Sequence, residues 1–333
     1  MKFYTPVSLG RTSVQVGLSD RTVVLGSCFA DSVGSLMAAG GMDVRINPFG
    51  TLYNPASILL AAARLEAASG LTDASPDGSR PADAASQNGG GILFDEPDCV
   101  EMGAGAGKVC SYFHHTSFAR ETSAGFLRNA NERLLEAAAF WKNSNKLIVT
   151  FGTAHVWRLN SGRSVKETDW FEGITKMLDS GLELEKTVSN CLKRPAAEFS
   201  RERLSVGQTA GLANAIRTVA RGKEVIFTVS PIRHLSGGAH DNNLSKSTLL
   251  LGLDEALCGR LPGACYFPSY EILLDELRDY RFYAENDLVH PSPAAVRHVW
   301  EKFLASAVPE KDLPAIAANE KASRALAHRK ILV

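Results

Sequence analysis

Two short stretches at opposite ends of the chain carry residue types that could do covalent chemistry. In Gly26-Ser27-Cys28-Phe29-Ala30 a thiol follows the apolar, β-favouring run Val23-Val24-Leu25. Phe29, Val33, Leu36 and Met37 then recur at i, i+4, i+7 and i+8, which predicts a helix ended by Gly40-Gly41. Ser27 and Cys28 thus fall at a helix N-terminus, where unpaired N–H groups and the dipole favour negative charge. A thiol there is expected to have its pKa lowered below the ordinary ~8.5 and to serve as a nucleophile. The second stretch is Asp287-Leu288-Val289-His290-Pro291-Ser292-Pro293. Ser292 and Pro293 can start a helix that buries Val296, Val299, Trp300, Phe303 and Leu304. Asp287 and His290 lie on the loop entering it, three residues apart, where a carboxylate can orient an imidazole as general base.

The elements needed to bring the two stretches together follow from the pattern between them. Strands are predicted at Val23–Leu25, Val44–Ile46, Lys146–Phe151, Glu224–Val229 and Ala264–Phe267, and helices near 29–39, 55–67, 123–142, 207–221 and 243–259. Leu147-Ile148-Val149 and Val225-Ile226-Phe227 are continuously apolar, as strands buried on both faces should be. Strands alternating with helices predict a three-layer α/β/α sandwich on a five-stranded parallel sheet, in the order 2-1-3-4-5. The carboxyl edge of such a sheet is where ligands bind.

Three segments depart from this rhythm. Residues 69–91 are rich in Ser, Gly, Ala and Asp, and Gly103–Gly107 continues the theme. This predicts an insertion near 69–108 with Ile92-Leu93-Phe94 as a short excursion strand. Residues 159–188, with Trp170, Phe171, Met177 and Leu178 among charges, read as an inserted helical hairpin or lid. The main domain then spans residues 1–308. A tail, 309–333, either packs on a neighbouring subunit of a homo-oligomer or stays loose.

Composition excludes several classes. Hydrophobic residues at 45% and charged ones at 22% describe an ordinary globular chain, and Lys+Arg balances Asp+Glu at 36 each. That balance argues against nucleic acid or an anionic membrane as partner. Met1–Gly10 lacks a signal-peptide core and no run reaches transmembrane length. Cysteines 28, 99, 110, 191, 258 and 265 form no Cys-x-x-Cys pair, so neither a disulfide framework, a metal site nor a cofactor is expected, and a reducing cytoplasm is the default.

These stretches resemble the GSCFA family, named after residues 26–30, which is usually grouped with the SGNH hydrolases and their flavodoxin-like fold. Further segments are similar: Asn47-Pro48-Phe49-Gly50 with Tyr53-Asn54-Pro55, Phe113–Phe118, Thr150–Ala154, Ser230–His234 and Asp279–Tyr283. The likeness runs from about residue 3 to 305. It implies an early nucleophile with a late Asp-x-x-His, hence a Cys28-His290-Asp287 triad, with Cys28 rather than Ser27 at the nucleophile position. Gly50 resembles the glycine of the second SGNH block. The third block, normally Gly-x-Asn, is Gly152-Thr153-Ala154 here, so the usual asparagine donor is missing. Asn47, Thr153 or His155 is expected to replace it in the oxyanion hole, beside the Cys28 N–H. His114 and His115, of which one should face the cleft, and Arg233, His234 and Arg281 are expected to read the substrate.

The function so implied is an esterase or acyltransferase acting on an ester or acyl group, carried by a small molecule or a carbohydrate. It would work through a covalent S-acyl intermediate, and an acyl-thioester donor fits a thiol nucleophile. The alternatives are a non-catalytic ligand-binding module on the same fold and a Ser27 esterase.

Overall fold

The computed structural model describes residues 5–72, 91–103, 105–178, 182–258 and 263–331. The amino-terminal half comprises β1 (Arg21–Gly26), α1 (Cys28–Ala39), β2 (Asp43–Ile46), α2 (Pro55–Ser69), β3 (Val100–Glu101), β4 (Val109–Cys110) and α3 (Ser123–Lys142). Then come β5 (Lys146–Phe151), β6 (His155–Leu159), α4 (Asp169–Thr175), β7 (Thr187–Val188), β8 (Phe199–Arg203), α5 (Val206–Val219) and β9 (Glu224–Val229). The chain closes with α6 (Gly238–Leu257), β10 (Ala264–Tyr266), α7 (Pro293–Ala307) and α8 (Leu313–Ile331).

Five strands form one parallel sheet in the order β2-β1-β5-β9-β10, the predicted 2-1-3-4-5. Successive side chains of a strand leave opposite faces, and the core divides accordingly. Val23, Leu25, Leu147, Val149, Val225 and Phe227 pack beneath α2, α3 and α5. Val24, Ile148 and Ile226 pack on the other side with Phe29, Met37, Val299, Trp300 and Phe303 from α1 and α7. The fold is therefore α/β, a three-layer sandwich whose central strands β1, β5 and β9 are buried on both faces. In register, Gly26 stands opposite Thr150 and Thr150 opposite Thr228, so β1, β5 and β9 end along one edge. Among the described residues no helix is long and apolar enough to cross a membrane.

Three expectations need correction. Residues 92–94 are not a strand: the backbone N–H and C=O of Phe94 bond the Asn131 side chain at 2.8 and 2.9 Å, which occupies the groups a neighbouring strand would need. The short excursion is instead β3 paired antiparallel with β4, and residues 73–90 of the predicted insertion lie outside the described residues. The segment 159–188 is no helical hairpin. β6 pairs antiparallel with both β7 and β8, and among the described residues of the segment α-helix is confined to the 7-residue α4. Its charges are spent across and beside the strands, Arg158 reaching Glu183 at 3.3 Å and Glu202 at 3.2 Å.

The tail does not hang loose: its helix α8 docks on this chain. Glu320 accepts from Trp300 Nε1 at 2.6 Å and from Arg297 at 2.8 Å, Ile316 is buried, and Asn319 donates to Gly40 O at 3.0 Å.

Candidate active site

The turn that carries Cys28 is built by sheet contacts. Gly26, the last residue of β1, has φ +152°, and a Cβ there would lie 2.4 Å from the Thr150 carbonyl oxygen, so no other residue fits without moving β5. Its N–H donates to Asn47 Oδ1 at 2.8 Å. Ser27 is fully buried and caps α1, its Oγ accepting from Phe29 N at 3.3 Å. Cys28 is then the first residue of α1, where a backbone N–H has no acceptor within the helix.

The facing loop is built locally. Tyr283 bridges Pro291, Ala284 N donates to His290 O at 2.7 Å, and Leu288 takes a left-handed φ of 54° to close the turn. Asp287 Oδ1 accepts from Val289 N at 2.8 Å and His290 N at 3.0 Å, while Oδ2 lies 2.7 Å from His290 Nδ1. His290 Nε2 stands 3.3 Å from Cys28 Sγ. These hydrogen bonds, those from the backbone first, hold the Asp287 carboxyl down at about 2, so it is ionised near neutrality. An ionised Asp287 fixes the hydrogen of a neutral His290 on Nδ1, which leaves the Nε2 lone pair aimed at the thiol.

The expected lowering of the Cys28 pKa is not found. Burial of the sulfur pushes it up, as do the carboxylates of Asp31 and Asp287; the N–H groups of Cys28 and Phe29 oppose this without overcoming it. The helix-start effect is real, but desolvation outweighs it. At rest the group is a thiol.

The remaining predicted residues divide. Asn47 is a structural tie: besides its bond to Gly26 it donates from Nδ2 to Asp31 at 2.7 Å. Gly50 N donates to Asn47 O at 2.8 Å, and Gly152 N and Thr153 N both donate to Tyr53 O, at 2.8 and 2.9 Å. Thr153 Oγ1 lies 3.2 Å from His155 Nδ1, and His155 Nε2 lies 3.1 Å from Asp241, itself paired with Arg201 at 2.8 Å. Every donor proposed for the oxyanion hole beyond the Cys28 N–H thus already has an internal partner. His114 is fully buried among Phe94, Phe113, Phe118 and Phe126, far into the neutral form, whereas His115 is only partly buried. Arg281 is 85% exposed and paired with Asp279.

Arg233 and His234 lie beside the loop that carries His290. Arg233 donates to Leu288 O, stacks 4.4 Å over the Tyr283 ring and so clamps the loop carrying His290. His234 is pushed down to about 3 by burial and by the charge of Lys246, so it is neutral. Its Nε2 is buried, with no hydrogen-bond partner among the described residues. Gly152 makes room for it: a Cβ there would lie 3.1 Å from His234 Nε2 and 3.5 Å from Ser27 Cβ. Beside this ring opens a cleft of about 360 Å³ lined by Tyr53, Thr153, His155, Trp157, Arg201 and His234.

Sequence reasoning missed two charged neighbours of Cys28. Asp31, three residues on along α1, was readable from helical spacing. Lys246 is fully buried and donates from Nζ to Gly152 O at 2.6 Å and to Ser230 O at 2.7 Å. The signal was a lysine at a core-facing position of α6, three residues before Leu249 and seven before Leu253, both buried.

Compared with known families, the chain matches the model of the GSCFA family over residues 21–74 and 94–303, well over half its length. No curated protein and no solved structure matches it.

Proposed function

Because the chain belongs to the GSCFA family, we propose that it is a hydrolase-like enzyme in which Cys28, His290 and Asp287 act as a triad on an ester or acyl group. The observation that carries this reading is the pair of contacts through one imidazole, 3.3 Å from Nε2 to the Cys28 sulfur and 2.7 Å from Nδ1 to Asp287. A packing cysteine has no need of an oriented base. Burial of Ser27, with its hydroxyl spent on capping α1, argues against serine as the nucleophile.

His290 Nε2 takes the Cys28 proton as sulfur bonds to the acyl carbon. The oxyanion that forms rests against the Cys28 N–H. Collapse breaks the bond to the leaving oxygen or sulfur, which receives the proton from His290. Water or an acceptor hydroxyl then gives its proton to His290 and attacks the thioester. Cleavage of the carbon–sulfur bond and return of the proton restore the thiol. For the carrier of the acyl group we favour a carbohydrate, since the adjoining cleft sets the rings of Trp157 and Tyr53 beside hydrogen-bonding side chains, among them Thr153, Asn190 and an Arg201 whose charge is already paired with Asp241. Transfer from a thioester donor is chemically suited to a thiol, and the protein's setting is read as cytoplasmic.

Incubation with p-nitrophenyl acetate and with acetyl-coenzyme A, followed by intact mass and peptide mapping, tests this. An acetyl group should appear on Cys28 and be lost with hydroxylamine. Cys28→Ala and His290→Ala should each abolish it, and the double variant should be no worse than either. Acetylation that persists in Cys28→Ala, or is absent with both donors, would overturn the reading.

A further inference from the structure

Lys246 presents a physical puzzle. It is 1% exposed, and among the described residues no carboxylate pairs with it. Burying an ammonium costs several kcal/mol unless it is compensated. Two of its N–H bonds are answered by carbonyls, and the Tyr270 ring lies 5.8 Å away, but no negative charge answers the positive one. Holding two carbonyls would not by itself require a charge, since a neutral amide could do it. The two carbonyls are informative in their place. Gly152 and Ser230 are the first residues beyond β5 and β9, at the same sheet edge from which Cys28 projects beyond β1. Gly152 in turn abuts Ser27, so the ammonium is linked to the nucleophile turn through a single residue.

We infer that Lys246 is a positioning cation for this site, a buried ammonium whose counter-charge arises only when Cys28 ionises. The Cys28 thiolate is the one charge that supports the protonated form of Lys246, against a burial that draws its pKa to about 7. By linkage the ammonium supports the thiolate to the same degree. The titratable groups facing Lys246 are Cys28, His234 and Tyr270, and of these His234 is held neutral by its burial first and by the ammonium second. The site thus answers the sulfur's raised pKa with a cation that acts when the proton moves. The inference rests on Cys28 as the ionising nucleophile and not on the acyl substrate.

The test therefore uses no acyl donor. Iodoacetamide alkylation of Cys28, read by peptide mapping across a pH range extended to about 11, should show its midpoint moved up by about one unit in Lys246→Met, which is about tenfold less thiolate at neutral pH. Lys246→Gln keeps an N–H donor without the charge and should show the same displacement, while Lys246→Arg should stay near the wild type. A lysine that only tied the strand ends together would leave the Cys28 midpoint where it is. Should the neutral variants fail to fold, the wild type answers alone. Capping Cys28 with iodoacetamide removes the counter-charge, so the Lys246 midpoint, followed by NMR of ¹³Cε-labelled lysine, should fall. Folded neutral variants with an unmoved Cys28 midpoint, or a Lys246 midpoint indifferent to capping, would overturn the inference. Either result would leave the acetylation test standing.

Discussion

The two halves of the candidate site are held by opposite means. Cys28 is fixed by the sheet: Gly26 pressed against Thr150, Ser27 wholly buried, and Asn47 bridging from beyond β2. His290 is fixed by its own loop, with three hydrogen bonds to Asp287 and a clamp from Arg233, and its side chain remains 47% exposed. The first arrangement cannot be altered without disturbing the fold, whereas the second stands largely apart from it. On the proposed reading, the nucleophile is thus carried by a turn pinned to the sheet and the base by a loop closed through its own hydrogen bonds.

This contrast predicts that damage on the cysteine side is a stability effect. Gly26→Ala must take a backbone angle that L-residues avoid and push a Cβ into Thr150 O. Unfolding by denaturant should show a loss of about 3 kcal/mol or more, with activity falling alongside. A midpoint within experimental error of the wild type would mean that the turn is not rigid, and the contrast between the halves would collapse.

On the other side, damage should be kinetic. Arg233→Gln removes the bond to Leu288 O and the stack on Tyr283 from a partly exposed side chain. We expect a stability change below about 1 kcal/mol. The acylation rate should fall about tenfold or more, because the imidazole is less well placed. Rates and unfolding curves on the same preparation decide between this and a purely structural arginine. An unchanged rate would return Arg233 to the role of substrate reader expected from its position after β9.

The same contrast explains what could be read in the sequence. Strand order and layers were legible because uninterrupted runs such as Leu147-Ile148-Val149 demand burial on both faces, and Asp287-x-x-His290 was legible because its hydrogen bonds are local. The antiparallel sheet of β6, β7 and β8 was not, since Arg158 and Glu202 pair across strands that spacing along the chain cannot connect. Lys246 escaped for a related reason: its partners, Gly152 O and Ser230 O, are backbone atoms and leave no mark on side-chain patterns. The direction of the Cys28 pKa was misjudged because the helix start is visible in sequence while the burial of its sulfur is not.

The smallest expected effect concerns how the loop shares out its support. Asp287 is depressed to about 2, and the backbone N–H groups of His290 and Val289 contribute more to this than the imidazole does. A carboxyl lowered on folding stabilises the folded state above its unfolded value of ~3.9, and that contribution is lost as pH falls through the folded value. The support that Asp287 gives the loop should therefore be complete at pH 5 and be withdrawn toward pH 2. NMR titration of the ¹³C-labelled carboxyl should place its midpoint near 2. In His290→Ala the backbone donors remain and only the imidazole is lost, so the midpoint should rise part of the way and stay below the ordinary value. If it rose the whole way, the imidazole rather than the turn would be holding the carboxylate. The loop would then need its own catalytic base to keep its shape, unlike the cysteine turn, whose sheet contacts do not involve the sulfur.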